Sequence, residues 1–142
     1  MIQSRSKLAE RVRREVRDID GLVRLFYDAA ETERRMPRAI DLRVKNCWPE
    51  YPDDPSLAFG YNDAEVLPGP ATSREVTRYD LALEVAGKLE EDERRVVWAA
   101  AYSAARRGRG ARWTAIGRQM GIHASTVKRR FERAILGLWY RL

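Results

Sequence analysis

Residues 113–138, WTAIGRQMGIHASTVKRRFERAILGL, read as two short helices joined at a single glycine. Ile116 and Met120 stand four apart on one face, and the small residues Ala115 and Gly117 beside them leave room for a second helix. Gly121 follows directly, where a left-handed residue stops a helix and turns the chain. Ile122 places an apolar residue inside the turn, and His123, Ser125 and Thr126 offer polar atoms to start the next helix. Val127, Phe131, Ala134, Ile135 and Leu138 then recur at spacings of three and four. The pattern predicts a helix-turn-helix clamped around a small apolar core.

The opposite face of the second helix gives that core a purpose. At about 100° per residue, Ala124, Ser125, Lys128 and Arg129 point away from the Val127/Phe131 stripe, with Glu132 and Arg133 further round. A major groove admits one helix, whose N-terminal residues reach the base edges. These four are therefore the expected base readers, Lys128 and Arg129 being suited to guanine O6 and N7. Ser125 and Thr126 can reach a base or a phosphate at the helix start. Phosphate contacts, which position a protein without reading sequence, are expected from Arg106, Arg107, Arg109, Arg112, Thr114, His123, Thr126, Arg130 and Arg133.

Charge supports a polyanion partner. The 142 residues carry a net +6, but residues 94–142 hold twelve Lys/Arg against the single acid Glu132, a net +11. The first 93 residues are left at −5. Such a division fits a nucleic-acid module joined to a part that binds another partner. The competing reading, an ordinary solvated basic face, lacks the interspersed acids that usually limit self-repulsion.

Upstream the chain reads as further helix. Thr72 and Glu75 have capping-box spacing, each satisfying an amide left open at a helix start. A helix is expected from about Ser73 to Lys88, burying Val76, Tyr79, Leu83 and Ala86. Glu90, Glu91 and Asp92 suit the positive end of the next helix, which spans about Glu91 to Ala105 and buries Val96, Val97, Ala100 and Ala101. An arginine- and glycine-rich loop follows, from Arg106 to Arg112.

At the other end, Leu8, Val12, Val16, Ile19, Val23 and Phe26 form one apolar stripe running to about Arg35. Asp20-Gly21 is the expected place for a kink or split, and Met36-Pro37 for the end. The near-heptad spacing permits a homodimer seam, although packing on the chain's own core is the commoner use. Residues 37–71 contain all six prolines together with Trp48, Tyr51, Phe59 and Tyr61. They predict an ordered, irregular connector with aromatic anchors and one helical turn around Ala39 to Cys47. Three parts result: an N-terminal helix or helix pair over 1–36, a connector over 37–71, and a helical DNA-binding domain over 72–142. The expected fold class is all-α, an N-terminal helical arm followed by a helix-turn-helix bundle.

Leu89 to Tyr102, with Glu93, Arg94, Val96 and Val97, followed by Trp113, Ile116, Gly117, Gly121, Ile122, Val127 and Ala134, resembles the promoter-binding fourth region of bacterial sigma factors. It departs from that region in a longer, more basic loop before Trp113 and in His123 at a position where Ser or Thr commonly caps. Glu33, Arg34, Arg35, Met36 and Pro37, then Trp48-Pro49, Pro68-Gly69-Pro70 and the sigma-like tail, resemble a family of small activators encoded by phages and gene transfer agents. That resemblance implies transcriptional activation or antitermination together with RNA polymerase or a partner activator.

Other chemistries find little support. His123 is the only histidine and has no positioned acid or cysteine beside it, so a cap or phosphate contact is a better reading than catalysis. Glu90, Glu91 and Asp92 point in different directions on a helix and make a poor metal set. Cys47 is the only cysteine, which excludes an internal disulfide. There is no phosphate-cradling glycine loop and no apolar run of membrane-spanning length. No enzyme, metal or cofactor is expected. The expected location is the cytoplasm, at the nucleoid. A DNA-packaging recognition subunit and a sigma-like adaptor that holds polymerase without touching DNA are the alternatives.

Overall fold

A computed structural model describes residues 2–36 and 69–142, with side chains from Lys7 onward. Among the described residues the fold is all-α, with six helices. These are α1 (Ile2–Glu15), α2 (Ile19–Arg35), α3 (Ser73–Ala86), α4 (Glu91–Arg107), α5 (Trp113–Met120) and α6 (Ala124–Arg141). The expected connector lies, apart from Gly69, Pro70 and Ala71, outside the described residues, as do its aromatic anchors, Cys47 and the turn around Ala39.

The first apolar stripe is interrupted earlier than its spacing suggests. α1 ends at Glu15, and Asp18 starts α2 by accepting a 2.6 Å hydrogen bond from the Gly21 amide. The break therefore falls at Val16–Asp18 and not at Asp20-Gly21. Gly21 belongs to the first turn of α2, where a Cβ would press on Asp18 Oδ1 at 3.0 Å. Restarting the helix also resets its phase. Leu8, Val12 and Val16 are buried as expected, but in α2 the buried face is Leu22, Leu25, Phe26, Ala29 and Ala30. Ile19 is 36% exposed and Val23 only partly buried. α2 does end at Arg35, with Met36 extended ahead of Pro37.

α2 is consequently no arm. It packs against both α3 and α4 and reaches α6, and its fully buried Leu22, Leu25 and Phe26 sit in the same core as Val97, Ile135 and Leu138. Phe26 meets Trp98 edge-to-face with ring centroids 5.6 Å apart. A stripe of this kind buries too much apolar area to be left projecting into water. Arg35–Glu75 and Arg78–Asp28 pair α2 with α3, and Arg11 binds Glu84 through both carboxylate oxygens at 2.7 and 3.0 Å, holding α1 to α3.

The capping box at Thr72 and Glu75 is formed. Backbone and hydroxyl hydrogen bonds from Thr72 and the Arg35 guanidinium hold the Glu75 carboxyl down at about 2. α3 stops at Ala86 and buries Leu81, Ala82, Val85 and Ala86. The expected Val76–Tyr79–Leu83 stripe is displaced: Leu83 is 45% exposed, because the face presented to the core is turned about one residue toward Leu81 and Val85. α4 buries Val96, Val97, Ala100 and Ala101 as expected and runs to Arg107, where Gly108 at φ 61° ends it. Glu91, Asp92 and Glu93 occupy its first turn, and Glu93 accepts from the Glu90 amide at 3.1 Å.

Candidate nucleic-acid interface

The last two helices are built as their sequence dictates. α5 is eight residues long, and Gly121 closes it in the left-handed conformation at φ 70°, ψ 25°. The Ile122 amide then reaches back to the Gly117 carbonyl at 2.9 Å. Gly117 is buried against this turn, whereas Ala115 is exposed and makes room for no helix. Trp113 and Phe131 pack ring to ring at 5.2 Å, fastening α5 to α6. Val127, Phe131, Ala134, Ile135 and Leu138 are all buried.

His123 caps α6. Its Nδ1 accepts from the Ser125 amide at 3.3 Å, and the Ser125 hydroxyl lies 2.8 Å from the same nitrogen. Imidazole thus fills the role usually taken by a hydroxyl or carboxylate. The Thr126 amide donates to the His123 carbonyl at 3.0 Å.

The exposed line of α6 runs through Ser125, Lys128, Arg129 and Arg133. Ala124 and Thr126 are half-buried and contribute less surface than their neighbours. Lys128 Nζ lies 3.9 Å from Glu132 Oε1, a loose helical pair in which both side chains are exposed. Arg129, Arg130 and Arg133 are exposed, and among the described residues none has a carboxylate within 4.0 Å. Arg130, three residues on from the buried Val127, is exposed as well.

Arg106 and Arg107, expected in the loop but found in the last turn of α4, gather with Arg112 on the flank. Arg106, Arg107 and Arg112 line a groove of about 490 Å³ between α4 and α5, together with Tyr102, Ser103 and Gln119. Arg107 donates to the Gly110 carbonyl at 3.1 Å, and the Arg112 amide to Ser103 Oγ at 2.9 Å. Tyr102 stacks on Trp98 at 5.7 Å and donates to Glu33; burial and that carboxylate push its phenol up. Tyr102, Ser103 and Gln119 were not among the residues marked by the sequence. The signal available for Ser103 was its place on one α4 face with Ala99, Arg106 and Arg107. Arg109 and Thr114 are also exposed, Thr114 at the second position of α5.

Two of the twelve basic residues have structural work instead. Arg94 donates to the carbonyls of Ala86 and Leu89 at 3.1 and 3.0 Å. Arg141 donates to the Lys88 carbonyl at 3.1 Å and to Glu93 at 3.0 Å, and contributes to holding Glu93 below its usual range despite the opposing effect of burial. Among the described residues, no group of three or more His, Cys, Asp or Glu is placed to hold a metal ion, and no helix is long and apolar enough to cross a membrane.

Among the described residues this arrangement is all-helical, with a turned helix pair presenting a basic helix face. Residues 34–138 match the model of the DUF6362 family, described as a domain of unknown function, and the chain belongs to that family. No curated protein and no solved structure matches it.

Proposed function

We propose that this protein is a sequence-specific double-stranded DNA-binding regulator of transcription, an activator or antiterminator acting with RNA polymerase on a phage-like or gene-transfer-agent operon. The observation that supports the DNA part is the row of Arg129, Arg130 and Arg133, none with a carboxylate within 4.0 Å among the described residues, on the exposed side of α6, the helix capped by His123. A helix entering a major groove end-on offers its first two turns to base edges, and these hold Ser125, Lys128 and Arg129. Arg106, Arg107, Arg109 and Arg112 sit on the flank, where strand phosphates pass a helix-turn-helix. The polymerase part rests on the resemblance of residues 89–138 to the sigma fourth region and of the wider chain to phage and gene-transfer-agent activators.

The test is binding of labelled duplex DNA over a range of salt. Phosphate contacts give a logarithmic affinity that falls linearly with the logarithm of salt, with a slope set by the number of contacts. Duplex binding that is absent while polymerase still co-purifies would instead identify a protein-only adaptor. Genome-wide occupancy then separates the modes of action. Spread through one operon alongside polymerase marks antitermination, and a single promoter peak marks control of initiation.

A further inference from the structure

We infer that His123 fixes the hydrogen-bond polarity of Ser125, making Ser125 an acceptor-only reader that selects an adenine or cytosine at its base position. The inference rests on the DNA-binding reading of α6 and adds the class of base edge its second residue recognises. A serine hydroxyl ordinarily donates or accepts, so it discriminates weakly among base pairs. Here its freedom is removed by its neighbour. The Ser125 backbone N–H can only donate, and it points at His123 Nδ1 at 3.3 Å. Nδ1 must therefore present its lone pair, which puts the ring proton on Nε2.

The Ser125 Oγ lies 2.8 Å from that same Nδ1. Two lone pairs facing each other at this distance would repel, so the hydroxyl proton must lie between them, donated by Ser125. What remains on Oγ for the groove is lone pairs alone. In the major groove only adenine N6 and cytosine N4 carry amino donors, whereas guanine O6 and N7 and thymine O4 accept. His123 and Ser125 are both exposed, at the start of the helix offered to DNA. Recruiting Ser125 as a donor would require breaking its bond to His123. The imidazole thereby acts on specificity as a positioning residue, through Ser125.

The experiment has two arms. In the first, ¹⁵N chemical shifts of the His123 ring in the free full-length protein at pH 8 report the tautomer. The proton is expected on Nε2; a proton on Nδ1 overturns the inference without reference to DNA. In the second, duplexes are selected from a randomised pool by the wild type, Ser125→Ala and His123→Gly, with thermal melting of each. Glycine is an accepted helix cap that offers no side-chain acceptor. The wild type should select adenine or cytosine at one position by on the order of 3- to 10-fold, the worth of one hydrogen bond. Ser125→Ala should lose that preference, and folded His123→Gly should relax it to include guanine and thymine. Guanine or thymine at the Ser125-dependent position, an unchanged preference in His123→Gly, or an otherwise well-defined site with no Ser125-dependent position each overturns the inference alone. A pool without any enriched sequence and no salt-sensitive duplex binding overturns the DNA-binding reading beneath it.

Discussion

Gly117 and Ile122 are so close that a Cβ on residue 117 would stand 2.6 Å from the Ile122 carbonyl oxygen and 3.1 Å from the Ala124 amide nitrogen. Both obstacles are backbone, so neither can rotate away. The turn between α5 and α6 is closed by the absence of a side chain as much as by the left-handed Gly121.

Gly117→Ala should accordingly destabilise the fold by about 1–3 kcal/mol, in the range of overpacked sites, although alanine is the better helix former. Thermal melting measures this directly. Gly108→Ala is the control for backbone strain alone, because Gly108 has a positive φ and no atom within 4 Å of its Cβ position. A Gly117→Ala protein as stable as the wild type would show that the turn can open without cost.

Phe26→Ala should cost about 3–5 kcal/mol, as large buried aromatics do. Phe26 of α2 is fully buried and packs edge-to-face on Trp98 of α4. Its loss should lower the denaturation midpoint of the whole molecule, monitored by Trp fluorescence and by DNA binding together. Coincident transitions are the expected result; an α6 that kept its DNA affinity after the remainder had melted would make α2 dispensable to the interface.

Acid should loosen the joint between α2 and α3. Glu75 titrates at about 2 in the folded protein, below the ordinary 4.5. A depressed carboxyl contributes stability that is fully present above its unfolded value and is lost as pH falls from about 4.5 through about 2. Glu75→Gln should therefore melt below the wild type at pH 7, and the gap should narrow over that window. A gap of constant size between pH 7 and pH 2.5 would mean that the charge itself does not hold the joint.

On DNA, Arg129→Ala should weaken the best site by about 1–3 kcal/mol and relax its sequence preference. The double change Arg107→Ala/Arg109→Ala should weaken all duplexes about equally and flatten the salt slope. Competition binding with specific and random duplexes separates these effects. Unchanged affinity of the Arg129 variant for its best site would move base reading off this face of α6.

How much of this was legible differs from helix to helix. The α5–α6 pair could be read almost residue by residue, because one helix phase runs unbroken from Val127 to Leu138 and a glycine marks the turn. The capping box at Thr72 was readable for a related reason, being local in the chain. α2 was misread because its apolar residues happen to continue the α1 spacing across a break set by Asp18, so Ile19 stood in line while Leu22 and Leu25 did not. In the candidate interface, the exposure of Ser125, Lys128 and Arg129 follows from helical geometry. The anchoring of Arg94 to the Ala86 carbonyl and of Arg141 to Lys88 does not, since those partners are fixed by how helices meet.

The central position of α2 has a consequence for how the protein is made. α2 precedes α6 in the chain yet packs against it, and Leu22, Leu25 and Phe26 share one core with Ile135 and Leu138. A nascent chain must therefore keep Leu22, Leu25 and Phe26 without their final cover until α6 has been synthesised. Because α6 also carries the proposed base readers, completing this core and presenting the proposed DNA-facing surface depend on the same helix.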